Sequence, residues 1–201
     1  MRVGIALFEG FEELDAIGPL EILAMASDRS DVLTVETFAL DHTPIPITAS
    51  HGLRVTPHVT DPEVRYDVVI VPGGGWQEAD RGVSAEIAHG ALPTYIATHA
   101  DESRVVASVC TGAMVLAAAG LLKGRRATTH HTAFDDLERA GVDVSDDRVI
   151  DAGTVITAGG VTAGLDLGLW LIERELGRSR ADETAARVEY TRQGEITTVR
   201  D

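Results

Sequence analysis

Cys110 is the only cysteine in the chain, and its setting suggests a nucleophile. It follows the apolar run Val105-Val106-Ala107-Ser108-Val109 and precedes Thr111 and the small-residue stretch Gly112-Ala113-Met114. A buried strand that turns into a helix here puts the sulfur on a sharp corner, the geometry of a nucleophile elbow. Helix N-termini carry unpaired N–H groups and partial positive charge, so this placement predicts a thiol pKa lowered from about 8.5. A lone cysteine is by default a small buried hydrophobe; the corner and its small flanking residues favour the reactive reading. Asp15 is the matching acid. It stands in Leu14-Asp15-Ala16-Ile17-Gly18-Pro19, a carboxyl group inside an apolar stretch. Buried beside a thiolate, it would have its pKa raised by desolvation and like charge. It could then hold a proton near neutrality and serve as general acid and base. The plain alternative is a first-turn acid favouring a helix dipole, a purpose Glu12 or Glu13 could equally serve.

Two further groups fit the same chemistry. Pro72-Gly73-Gly74-Gly75 ends the apolar run Tyr66 to Val71. Glycines let backbone approach a ligand closely, and amides of Gly74 and Thr111 could form a hole for developing negative charge. The same run also reads as a tight turn after a buried strand. His130 and His131 follow Ala127-Thr128-Thr129. On a strand they would face opposite sides, with one pointing into the crevice. No metal site is expected there, because no zinc-type spacing accompanies them. His42, His51, His58, His89 and His99 read as surface or loop residues without defined partners. Asp166 interrupts an apolar helical face and reads as a buried, hydrogen-bonded structural acid, with ordering of the histidine loop as the alternative.

Strand and helix patterns alternate along the chain. Strands are expected at Val3 to Phe8, Leu33 to Leu40, Tyr66 to Val71, Val105 to Val109 and Arg126 to Thr129. One or two short strands are expected around Pro44 to Gly52. A hairpin is expected around Asp151-Ala152-Gly153-Thr154. Helices are expected at Leu14 to Met25, interrupted at Gly18-Pro19, and at Ala85 to Ala97, kinked or split at Pro93. Others are expected at Thr111 to Ala119, Thr132 to Arg139, Thr162 to Leu176 and Ala181 to Tyr190. The last ten residues are polar and expected to be only partly ordered. The alternation specifies an α/β fold, a doubly wound and mostly parallel sheet with helices on both faces. Ligands collect beyond the carboxyl ends of such strands. If the strands preceding Asp15, Gly73 and Cys110 are neighbours, the three meet in one crevice.

At 201 residues the chain suits one domain, 1–201. The 17 basic and 32 acidic residues leave a net charge of −15. That balance argues against nucleic acid and anionic membranes as partners and leaves a small-molecule substrate. No apolar stretch is long enough to span a bilayer. One cysteine excludes an internal disulfide framework and fits a reducing, cytoplasmic compartment. Lys123 is the only lysine; many acids with almost no lysine fit either a high-salt habitat or an arginine-biased genome.

Together these residues resemble the ThiJ/PfpI (DJ-one) superfamily, a flavodoxin-like branch related to class I glutamine amidotransferases. The resemblance rests on Glu12-Glu13-Leu14-Asp15 with Gly18-Pro19, Val71-Pro72-Gly73-Gly74, Val109-Cys110-Thr111-Gly112, Ala127-Thr128-Thr129-His130 and Gly160-Val161-Thr162-Ala163-Gly164-Leu165-Asp166. Aspartate at 15 and threonine at 111 make the chain most similar to the isonitrile hydratase branch. The resemblance implies attack by Cys110 on the terminal carbon of an isonitrile, with Asp15 as proton carrier. It also implies substrate or water orientation by Thr111 and Gly74, no cofactor, and a homodimer. The same superfamily also suggests a glyoxalase- or deglycase-like activity on 2-oxoaldehydes, or a non-catalytic thiol stress sensor. The ligand-binding half of AraC-type regulators looks alike, but the acidic chain ends at Asp201 without a basic helix-turn-helix region, so a complete regulator is not expected.

Overall fold

The computed structural model describes residues 1–27, 32–62, 65–78, 80–100 and 105–199. The first half runs β1 (Arg2–Ala6), α1 (Glu13–Ser27), β2 (Thr34–Ala39), a small hairpin of β3 (Ile47–Thr48) and β4 (Arg54–Val55), and β5 (Val59–Thr60). Then come β6 (Val68–Val71), α2 (Gly82–His89), α3 (Ala91–His99), β7 (Val105–Val109) and α4 (Gly112–Ala118). The second half holds β8 (Arg126–Ala127), a 3-10 turn at His131–Ala133, α5 (Phe134–Arg139), β9 (Asp143–Val144), β10 (Val149–Ala152) and β11 (Val155–Ala158). It closes with α6 (Ala163–Leu176), α7 (Arg178–Arg187) and β12 (Ile196–Thr198). The main sheet has the order β12-β10-β11-β7-β6-β1-β2-β5. Every pair in it is parallel except the β10–β11 hairpin.

Apolar runs without alternation occupy the sheet centre. β6 and β7 are buried at every position, as strands covered on both faces must be. α1, α6 and α7 pack together as one layer, and α2, α3 and α4 as another. The expected doubly wound, flavodoxin-like architecture is the one observed. Its order places β7, β6 and β1 side by side, so the three candidate segments do leave neighbouring strands.

α1 survives Pro19, which lies inside the helix and does not interrupt it. Proline lacks the N–H that would bond the carbonyl of Asp15, but tertiary packing holds the turn. A Cβ built at Gly164 would lie 3.1 Å from Pro19 Cδ, and one at Gly168 would lie 2.9 Å from Ile22 Cγ2. Two glycines one turn apart on α6 therefore let α1 close in.

Several local expectations change. The helix expected at 85–97 is two helices, broken at Gly90 (φ +83°). Pro93 sits harmlessly in the first turn of α3, where its missing N–H costs little. The strand expected at 126–129 ends at Ala127, and His131 already begins the 3-10 turn. The last helix begins at Arg178. The C-terminal segment expected to be partly ordered instead adds β12, parallel to β10 with Ile196 opposite Val149; the final two residues lie outside the described set.

Asp166 explains that order. It is 3% exposed. Its Oδ2 accepts from Arg148 Nε at 2.6 Å and Tyr190 OH at 2.8 Å, and its Oδ1 accepts from Gln193 N–H at 3.0 Å. The acid is structural, as the sequence suggests. It ties α6 to the start of β10 and to the segment that leads into β12. Among the described residues no helix is long and apolar enough to cross a membrane. Asp166→Ala should cost about 3 kcal/mol, the scale for breaking a buried ion pair. Urea unfolding checks this, together with faster amide exchange at Ile196–Thr198; a loss near zero contradicts the hub role.

Candidate active site

Cys110 occupies the turn between β7 and α4 with φ +57°, a strained value for a residue with a side chain, of order 1–3 kcal/mol. Three hydrogen bonds hold it there. Its N–H is shared between the carbonyls of Ala158 (3.0 Å) and Gly159 (2.9 Å). Its own carbonyl accepts from Thr129 Oγ1 at 2.8 Å. The exits of β7, β8 and β11 thus converge on one residue and force the elbow.

Asp15 lies in the first turn of α1 and is fully buried. Its Oδ2 accepts from the Gly73 N–H at 2.9 Å. Its Oδ1 is buried without a hydrogen-bond partner among the described residues. Gly73 also accepts, through its carbonyl, from Glu12 N–H at 2.9 Å. A Cβ at position 73 would come within 2.7 Å of Asp15 Oδ2 and of Thr111 Oγ1, so only glycine lets the acid and the elbow meet. Asp15, Gly73, Cys110 and Thr111 therefore meet in one cluster at the neighbouring strand exits, packed in the interior.

Electrostatics within it depart from the sequence reading. The Cys110 thiol is not lowered. Burial, then the charge of Asp15, push it up to about 12, against smaller opposing help from the amides of Val161 and Thr111. The helix N-terminus is real, but α4 is short and Cys110 as a residue is only 7% exposed. Asp15 behaves as expected: burial pushes it up to about 8, assisted by the charge of Glu12 and opposed by the Gly73 amide and the thiol. Neither group can ionise cheaply while the other is charged, so they titrate as a pair that keeps its protons at neutral pH.

The two glycine amides are also differently employed. Gly73 N–H is spent on Asp15, and Gly74 N–H donates to Thr111 Oγ1 at 3.1 Å. Gly74 is therefore not an open donor for developing charge. Thr111 Oγ1 in turn donates to Gly74 O at 2.9 Å, so its hydroxyl fastens the glycine loop to the elbow. Amides of Thr111 and Val161 face the sulfur instead. Val161 was not foreseen; it is a β-branched residue at φ +36°, and nothing in Gly160-Val161-Thr162 announces that conformation.

His130 and His131 do not point to opposite sides. They lie at the start of a turn with ring centroids 4.2 Å apart. His130 caps that turn, its Nδ1 accepting from Thr132 N–H at 3.4 Å and lying 2.8 Å from Thr132 Oγ1. An accepting Nδ1 leaves the proton of the neutral ring on Nε2. The ring abuts Gly160, where a Cβ would sit 2.5 Å from His130 Cδ2. Burial and His131 push its pKa down. A pocket of about 610 Å³ lies here, lined by Thr129, His130, Phe134, Gly160 and Val161 among others. It flanks the elbow and shares its Val161 wall.

Other histidines have partners that the sequence did not reveal. His51 Nδ1 lies 2.9 Å from Glu13 Oε2 and 3.6 Å from Glu12 Oε1. The three donor atoms lie within 4.8 Å of one another. Glu13 Oε1 also accepts from the His51 N–H at 2.8 Å, so the cluster clamps the 50–53 loop onto α1. His42 pairs with Glu86, His58 with Thr37, and His99 with Tyr95. The first two span 44 and 21 positions, beyond reach of local spacing, whereas His99 reaches back four positions along its own helix.

A parallel α/β sheet with a strained cysteine at one strand exit, faced by a buried acid from the next strand but one, defines a cysteine-elbow domain of flavodoxin-like topology. The chain belongs to the DJ-1/PfpI family, whose pattern it matches over residues 1–174. It is 36% identical over 191 residues to an isonitrile hydratase of Pseudomonas putida, covering 94% of this chain and 78% of that one. It is 29% identical over 161 residues to a deglycase of Thermococcus kodakarensis, covering 79% and 89%. A crystal structure of a ThiJ/PfpI family protein from Pseudomonas syringae superposes with a TM-score of 0.83 at 26% identity, covering 96% of this chain and 76% of that one.

The raised Asp15 pKa makes stability depend on pH. The folded chain holds a proton that the unfolded chain sheds above about 4, so stability falls as pH rises from there to about 8. Asp15→Asn removes that titration. Urea unfolding at about pH 5 and about pH 8 should show the variant gaining on the parent as pH rises; a constant difference contradicts the buried, protonated acid.

Proposed function

We propose that the chain is a cofactor-free cysteine hydratase that converts a small isonitrile into an N-substituted formamide. The observation that carries this reading is Asp15, a buried acid raised to about 8 beside the elbow thiol. The 36% identity to an isonitrile hydratase supports the substrate class. An isonitrile presents a carbon lone pair that must take up a proton as sulfur adds. An acid still protonated at neutral pH can do this, and its conjugate base is strong enough to take the thiol proton.

The steps balance. Asp15 gives its proton to the terminal carbon while Cys110 sulfur bonds to it, and the thiol proton passes to the Asp15 carboxylate. The product is a thioimidate, R–N=CH–S–Cys110. Water then adds to that carbon, losing a proton to Asp15 as the nitrogen is protonated. The C–S bond breaks, the thiol recovers its proton, and R–NH–CHO leaves. Amides of Thr111 and Val161 stabilise charge on sulfur as it comes and goes. Thr111 and Gly74 hold the elbow and the glycine loop together, with Gly73 fixing Asp15 Oδ2 so that Oδ1 is the oxygen that moves protons. His130, at the neighbouring pocket, contacts the substituent or the water. The working unit is a homodimer in the cytoplasm.

The 29% identity to a deglycase supports a second reading, thiol attack on a 2-oxoaldehyde. A stress-sensing thiol fits less well, because the sulfur is buried and pushed up. Purified protein offered p-nitrophenyl isocyanide should release the corresponding formamide. Cys110→Ala should abolish turnover, and Asp15→Asn should slow it by about 10²–10⁴-fold, the range for loss of a general acid–base group. Consumption of methylglyoxal alone would replace the hydratase reading with the second one.

A further inference from the structure

The start of α1 carries more acid than a helix end requires. Glu12 immediately precedes the helix, and Glu13 and Asp15 lie in its first turn. One carboxylate already suits the partial positive charge there. The structure divides their work. Glu13 clamps the 50–53 loop. Its Oε1 accepts from the His51 N–H at 2.8 Å and the Leu53 N–H at 3.4 Å, and its Oε2 lies 2.9 Å from His51 Nδ1. Ser50 adds two bonds to the segment that follows β1, from its N–H to Phe11 O and from its Oγ to Gly10 O, both at 2.8 Å. The Glu12 carboxylate has no such task. Among the described residues its one polar contact is the 3.6 Å approach of Oε1 to His51 Nδ1, too long for a hydrogen bond. Yet its side chain is only 21% exposed.

What Glu12 does touch is the seat of Asp15. In a capping box, the acid three residues into a helix reaches back to the N–H of the residue at its start. Here Gly73 stands between the two. Glu12 N–H donates to Gly73 O at 2.9 Å, and Gly73 N–H donates to Asp15 Oδ2 at 2.9 Å. The i, i+3 spacing turns both side chains to one face of the turn. Two like charges so placed repel, and the group with less access to water gives up its charge. That group is Asp15, which is fully buried. Burial pushes Glu12 up as well, opposed by His51 and assisted by Glu13, but Glu12 reaches solvent and Asp15 does not. After burial, the charge of Glu12 is the influence that raises Asp15 further, while Gly73 and the Cys110 thiol oppose it. The cations packed nearby are engaged by other acids. His51 answers first to Glu13, and Glu78 holds Arg81 at the start of α2.

We infer that Glu12 is a positioning residue for the proton on Asp15: its carboxylate, three residues earlier and across Gly73, holds that acid in the protonated form. The inference rests on the proposed function, in which Asp15 is the proton carrier, and assigns its tuning to a residue outside the reacting cluster.

Carbon-detected NMR titration of the Asp15 carboxyl is run on the intact parent and on Glu12→Gln, Glu12→Ser, Glu12→Asp and Glu13→Gln. Serine is favoured at a helix start, so Glu12→Ser removes the charge and keeps α1 capped. The Asp15 midpoint should fall by about half a unit in both neutral variants, the scale for one partly screened like charge a helical turn away. Glu12→Asp should restore most of that loss. Glu13→Gln, which frees the loop but keeps Glu12, should leave the midpoint nearly unmoved. The alkaline limb of isonitrile turnover should move down with the midpoint in the neutral variants. An unmoved midpoint in both neutral variants, or an equal fall in Glu12→Asp or Glu13→Gln, would overturn the role of Glu12 and leave the hydratase reading standing. A parent midpoint at or below about 4, that of a solvated aspartate, would overturn both.

Discussion

Asp15 is a carboxyl group held in the protein interior, steadied by one amide and the neighbouring thiol, with no salt-bridge partner among the described residues. Gly73 supplies that amide at 2.9 Å, and the other oxygen has no hydrogen-bond partner among the described residues. Such a group keeps its proton well above the pH at which a solvated aspartate would lose it. The arrangement of the sheet centre follows from this requirement. β1 must deliver the acid, β6 must end in a residue with no side chain, and β7 must bend at Cys110, all within one cluster of neighbouring strand exits.

The constraint has a structural cost. A buried acid and a buried thiol each resist ionising in the presence of the other, and the elbow holds Cys110 at positive φ. The rest of the fold absorbs this strain. Ala158, Gly159 and Thr129 pin the elbow backbone, Thr111 laces it to Gly74, and α6 packs glycine-to-proline against the helix that carries Asp15. Local instability at a reacting centre is sustained by rigid, apolar surroundings. The acid–thiol pair thus makes the same burial responsible for reactivity and for a stability that declines toward alkaline pH.

Much of this was legible in the chain, because it is written in local pattern. Continuous apolar runs mark β6 and β7, the corner at Cys110 follows from strand meeting helix, and an acid in an apolar stretch marks Asp15. Asp166 is legible for the same reason. What was not legible depends on distant packing. The direction of the thiol shift is decided by burial and by Asp15, not by the helix end that sequence places beside it. The Gly74 amide looks free until Thr111, 37 positions away, is brought against it. His130 and His131 look like strand neighbours until β8 stops at Ala127. β12 lies in a polar segment, and the contacts that lead it to β10 run from Asp166 to Gln193, Tyr190 and Arg148, distant in sequence.

A carbon-detected NMR titration of the Asp15 side-chain carboxyl measures the central claim directly. The account predicts a midpoint near 8 in the native protein, with a coupled change at the Cys110 β-carbon. A midpoint at or below about 4, the range of a solvated aspartate, would show a carboxylate that is already ionised at neutral pH and would leave the pair without a proton to deliver.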